Sequence, residues 1–133
     1  MTKAFTVALM LAVMAGGAQA QDFRAENRVT VRPGTGEFSV LGDGGFGARG
    51  IWCAAADFAR DRLGARGVDR LYVKQPRSRG VGEASSVVFT LQPGDLQPQQ
   101  VLILGFSVKT AGASLSVGHA YSFCADTRLV RTR

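Results

Sequence analysis

The segment Ala48–Leu63, ARGIWCAAADFARDRL, constrains this chain more than any other. Ile51, Trp52, Ala55, Phe58, Ala59 and Leu63 recur at steps of three and four, which puts them on one side of a 3.6-residue helix. Such a stripe is stable only against a second layer, so the rest of the chain has to supply an apolar surface facing it. Gly64 follows the last periodic residue, where a glycine takes the left-handed conformation that ends a helix at little cost. Trp52 opens the stripe and is the largest side chain, which predicts that it anchors the helix. Cys53 falls off the stripe, on the flank shared with Ala56 and Arg60. A disulfide from it would reach a segment beside the helix and not the sheet beneath.

The facing layer is legible as strands. In Asn27–Arg32 the residues Val29 and Val31 alternate with Arg28, Thr30 and Arg32, the mark of a half-exposed strand. Pro33-Gly34-Thr35-Gly36 turns the chain into a second strand, Glu37–Leu41, with Phe38 and Val40 inward, so the two form a hairpin. After the helix, Arg70–Lys74 buries Leu71 and Val73 with Tyr72 outward, and Ser86–Leu91 buries Val87, Phe89 and Leu91. Between them Gln75–Ser85 has no period and reads as a loop. Val101–Lys109 is apolar on both faces, which predicts a central strand. Leu115–Phe123 alternates and predicts a last strand, with a short helix across Ala120–Cys124 as the alternative. The expected fold is α+β: an antiparallel sheet of five or six strands with one main helix packed on one face.

Lys3, the apolar run Ala4–Ala15 and the small-residue site ending Ala18-Gln19-Ala20 have the form of a secretory signal peptide, residues 1–20. No run approaches the roughly 18 to 20 residues of a bilayer span. Of 133 residues, removal of 20 leaves 113, enough for one small domain over 21–133. The mature chain keeps 15 Lys and Arg against 10 Asp and Glu, a charge of +5, and all but Lys74 and Lys109 of its cations are arginines. Arginine excess suits phosphates or carboxylates, and equally a GC-rich genome, since the cations are scattered. Two cysteines in an exported chain read as one disulfide, Cys53 to Cys124, with a free reactive thiol as the alternative.

Motifs of chemistry are sparse. Gly42-Asp43-Gly44-Gly45-Phe46-Gly47 satisfies G-x-G-x-x-G, but the strand ahead reads as half of a hairpin and the next strand ends in Lys74 where an acid should hold a ribose, so nucleotide binding is not expected. His119 is the sole histidine and is expected on the apolar face of the last strand, as a core residue. No Ser lies in G-x-S-x-G and no His/Cys/Asp spacing suits zinc, so no metal or cofactor is expected. Asp57 and Asp61, beside Arg60 and Arg62, read as a solvated helix face. Lys74, Arg77 and Arg79 with Tyr72 are the weak binding candidates, a basic loop with one nearby ring.

The leader followed by QDFRAENRV, the block GARGIWCAAADFA and the late block SLSVGHAYSFC resemble a group of small exported bacterial proteins of unassigned function. The similarity spans most of the mature chain. It implies no activity and no cofactor, and it supports Cys53 and Cys124 as partners. The expected function is that of an exported, non-catalytic envelope protein, periplasmic or secreted, that binds a partner or small ligand through the open face of the sheet or the loop Gln75–Ser85. An anionic envelope component and another envelope protein are the partner classes. The alternative is a small periplasmic hydrolase or lyase using His119 with Asp57 or Tyr121.

Overall fold

The computed structural model describes residues 20–78, 86–100 and 108–132. The main helix, α1, runs Gly47–Arg62 and buries Ile51, Trp52, Ala55, Phe58 and Ala59, as the stripe requires. It ends at Gly64, whose φ of +63° is the left-handed conformation, and the Ala65 N–H turns back to the Ala59 carbonyl at 2.9 Å. Cys53, Ala54 and Ala56 are buried as well, so α1 has a second packed flank beside the one over the sheet.

Among the described residues the sheet has seven strands: β1 Phe23–Arg24, β2 Thr30–Pro33, β3 Phe38–Leu41, β4 Arg70–Gln75, β5 Val87–Thr90, β6 Gln99–Gln100 and β7 Ala113–Ser116. Their order is β1-β2-β3-β5-β4-β7-β6, antiparallel throughout except for the two-residue pairing of β6 with β7. Val31 pairs with Val40, Phe38 with Phe89, Val73 with Phe89 and Leu71 with Leu115, so the apolar positions of five strands meet on one face. Trp52 stands on that face with no accessible surface, its ring edge-on to Phe89 at 5.0 Å between centroids. The predicted strand Val101–Lys109 lies outside the described residues except for Val108, which is buried, and Lys109.

Three expectations need correction. The first strand begins at Thr30 and not at Asn27, because Asn27 and Arg28 belong to the turn joining β1 to β2. Ala25 N–H donates to the Val29 carbonyl at 2.9 Å and Arg28 N–H to the Ala25 carbonyl at 2.8 Å, with Arg28 in the left-handed region at φ 66°. Second, Leu115–Phe123 is not one strand. β7 stops at Ser116, whose hydroxyl accepts the His119 N–H at 3.2 Å and caps α2, Val117–Ser122; α3, Ala125–Arg131, follows. Val117, Ala120, Cys124 and Thr127 form the buried stripe of this pair at helical steps. Third, Leu63 is 49 % exposed and leaves the stripe at the end of α1.

α2 lies against the second flank of α1, and there Cys53 and Cys124 form a buried disulfide with their Cα atoms 5.0 Å apart. The bridge joins the helix to a segment beside it, as the position of Cys53 demands. No helix among the described residues is long and apolar enough to cross a membrane.

The glycine-rich link is a built turn and not a slack connector. Asp43 Oδ1 accepts the Gly45 N–H at 2.8 Å, and a Cβ on Gly50 would stand 1.9 Å from the Asp43 carbonyl oxygen, so the link crosses directly over the first turn of α1. Buried Asn27 donates from Nδ2 to the Gly50 carbonyl at 2.7 Å and ties the β1–β2 turn to the same place. β3, the strand ahead, is antiparallel to both its neighbours, unlike the buried parallel strand of a dinucleotide fold.

Candidate functional site

At one end of the sheet the β2–β3 turn stands beside the chain that leaves β5. Thr90, the last residue of β5, places its hydroxyl 3.0 Å from the Gly36 carbonyl and 3.2 Å from the Gln92 carbonyl, and accepts the Gln92 N–H at 3.1 Å. Pro93-Gly94 then reverses the chain, with the Leu96 N–H on the Pro93 carbonyl at 2.8 Å. These two turns, held together by one buried hydroxyl, enclose a recess of about 500 Å³ lined chiefly by Thr35, Lys74, Thr90, Gln92 and Asp95.

A second recess of about 240 Å³ opens on the other side of Gly36 and Gln92, which line both. Phe38, Phe58, Leu63 and Leu91 make it apolar. Here the exposure of Leu63 acquires a reason: past the end of α1 it lies on the wall of a hollow and not over the sheet. The two recesses adjoin at Gly36 and Gln92 and make up a cleft with a more polar part and an apolar part, and the larger is within the usual range of ligand sites, about 300 to 1,000 Å³.

The sequence-predicted binding residues part company. Lys74 lies in the wall of the polar recess and is paired with Glu37 of the β2–β3 turn. Arg77 turns to Asp43 of the glycine-rich link at 3.8 Å. Arg79 lies outside the described residues. Tyr72 is half-buried on β4, opposite Thr90 and Ser114. The far face of the sheet is not bare around these strands, since Val88, Thr90 and Ser114, which the pleat turns away from α1, are buried.

The partners expected for His119 are engaged by another residue. His119 is exposed on α2 and not on an apolar strand face, because the strand ended at Ser116; its ring lies 5.4 Å from that of Phe123. Tyr121, two residues on and so about 200° around the helix, leaves on the opposite side. Its hydroxyl donates to Glu26 Oε2 at 3.0 Å, and Asp57 Oδ2 accepts the Glu26 N–H at 2.7 Å. Asp57 and Tyr121 are thus both bound to Glu26, in the β1–β2 turn. Arg128 adds a two-pronged ion pair to the same carboxylate, Arg131 donates to the Glu26 carbonyl at 2.9 Å, and the Arg60 guanidinium covers the Tyr121 ring at 3.8 Å. Arg128 holds the Glu26 carboxyl below its ordinary range, and burial pushes Asp57 up. This network clamps α3 and the turn to α1. Among the described residues no group of three or more His, Cys, Asp or Glu is placed to hold a metal.

Comparison with family models, curated proteins and solved structures finds no match to this chain. The cleft therefore stands on its own geometry. Sequence reasoning missed all of it except Lys74. Thr35, Gly36 and Gln92 to Asp95 carry turn signals and no periodicity, and nothing local shows that two turns 54 residues apart meet through Thr90.

Proposed function

We propose that this is an exported, non-catalytic binding protein of the bacterial envelope, periplasmic or secreted, which holds a small ligand in the cleft at the end of its sheet. The observation that carries the reading is the pair of adjoining recesses, a more polar one of about 500 Å³ and an apolar one of about 240 Å³, with Gly36 and Gln92 in the walls of both. Binding sites pair apolar walls with a few placed polar groups in this way. Export rests on the leader form of residues 1–20 and on the fully buried disulfide, which persists in oxidising compartments. Catalysis through His119 draws no support from the same geometry, since Asp57 and Tyr121 serve Glu26.

Two measurements test this. Intact mass of the protein recovered from the producing cell's periplasm or medium, with and without alkylation, should give a chain starting at Gln21 with no alkylatable thiol. Titration of the ¹⁵N-labelled mature protein with a small-molecule library should move the amides of Gly36, Lys74, Gln92 and Leu96 together. Hits that cluster elsewhere on the molecule would remove the cleft from consideration.

A further inference from the structure

We infer that the cleft takes a cationic amphiphile, a primary amine carrying one aromatic ring or a short alkyl chain; this rests on the reading that the cleft is a ligand site, and names its ligand class. The chain as a whole is basic, with a net charge of +6, and its arginine excess points to anions. The cleft has the opposite local balance. Among the described residues, its lining side chains that carry charge are Lys74, Glu37 and Asp95. Lys74 is already neutralised by Glu37. Asp95 is an exposed carboxylate with no ion pair among the described residues, so the surplus charge is negative.

The neutral groups agree with this. The carbonyls of Gly36 and Gln92 flank the Thr90 hydroxyl, and each keeps a lone pair beyond the one that hydroxyl can use. Carboxylate and carbonyl oxygens accept and do not donate, so Asp95 and the two carbonyls offer acceptors to a ligand, beside the donors of Lys74, Thr35 and Gln92. An ammonium has three N–H donors and no acceptor, and it pairs with Asp95 without displacing the Lys74–Glu37 contact. A carboxylate ligand would have to share the Lys74 ammonium with Glu37 and sit beside Asp95. The apolar half, with Phe38, Phe58, Leu63 and Leu91, takes the remainder of the molecule. It adjoins the more polar part at Gly36 and Gln92, an arrangement that suits one short molecule with its charge at one end.

Three probes that share an apolar group separate the charge assignment from the existence of the site: 3-phenylpropylamine, 3-phenylpropanol and 3-phenylpropionate, each titrated into the disulfide-intact mature protein and followed by amide shifts. The amine should bind in the cleft about tenfold more tightly than the carboxylate, with the alcohol between. Asp95→Asn should bring the amine close to the alcohol. The double variant Glu37→Gln/Asp95→Asn leaves Lys74 the sole charge and should reverse the order of amine and carboxylate. Leu63→Ser should weaken all three probes alike. Equal or tighter binding of the carboxylate to the unmodified protein overturns the cationic assignment and leaves the cleft a ligand site. If none of the three moves the cleft amides at millimolar concentration, the site itself is lost and this inference with it.

Discussion

The backbone N–H of Glu26 donates to the Asp57 carboxylate at 2.7 Å, so a hairpin turn is fastened to the middle of α1 by a half-buried charge. Burial pushes the Asp57 carboxyl up, against the opposing effect of that N–H. A carboxyl raised in the folded state favours folding when protonated; the contribution is complete below its unfolded value and is lost as pH rises through the folded one. Asp57→Asn keeps an acceptor oxygen and removes the charge. It should raise stability at neutral pH and leave it nearly unchanged at about pH 3, below the usual carboxylate range. Urea midpoints at the two pH values check this, and a lower midpoint for the variant at neutral pH would show that the charge itself holds the turn.

Glu26, Asp69 and Asp126 have the opposite sign. Arg128 holds Glu26 down, the Arg66 N–H and guanidinium hold Asp69 down, and Arg49 holds Asp126 down with a contact of 2.6 Å. Their stabilisation is present above the unfolded carboxylate range and is lost as pH falls through the lowered folded values. The melting temperature should therefore fall steadily below about pH 4. Arg128→Ala should flatten part of that fall while lowering stability only modestly at neutral pH, because the guanidinium is exposed to solvent. An unaltered acid profile in the variant would mean that Glu26 does not depend on Arg128.

Trp52→Ala should cost about 3 to 5 kcal/mol, near the whole stability of a small domain, since the indole is fully enclosed and packs edge-on against Phe89. Thermal unfolding by circular dichroism reads this out. A shift of only a few degrees would contradict the role of Trp52 as the anchor.

Gly50→Ala should destabilise by more than about 2 kcal/mol despite the higher helix propensity of alanine. The added Cβ would lie 1.9 Å from the Asp43 carbonyl, and the helix and the glycine-rich link cannot both keep their places. Gly94→Ala makes the comparison, since no atom lies within 4 Å of its Cβ position and only its φ of +52° resists the change. Denaturant midpoints for both variants should separate the cost of collision from the cost of conformation.

Much of the fold was legible because two signals were unambiguous. The stripe from Ile51 to Ala59 has one period, and only one pairing of two cysteines exists. The end of the chain was not legible for the opposite reason. Val117, Ala120, Cys124 and Thr127 keep a helical step, but Leu115, Val117, His119, Tyr121 and Phe123 keep a period of two over the same stretch. What separates the readings is the Ser116 cap and the flank of α1 that α2 has to cover, and the second of these is tertiary. The cations fared likewise. Lys74 and Arg77 look like neighbours on a loop, yet their partners Glu37 and Asp43 come from a distant part of the chain and turn them apart.

The order of strands has a consequence for how the chain reaches this state. β5 lies between β3 and β4, so β3 has only one neighbour until the chain beyond α1 and β4 has folded back to it. A chain in which the hairpin of β2 and β3 forms first would carry an unsatisfied row of amides and carbonyls along Phe38–Leu41, beside the uncovered side chains of Phe38 and Val40. An open edge next to bare apolar surface is where one unfinished molecule adds to another. The arrival of Val87–Thr90 thus divides a chain that can still stack into aggregates from one that no longer can, and refolding yield should be governed by protein concentration during that step.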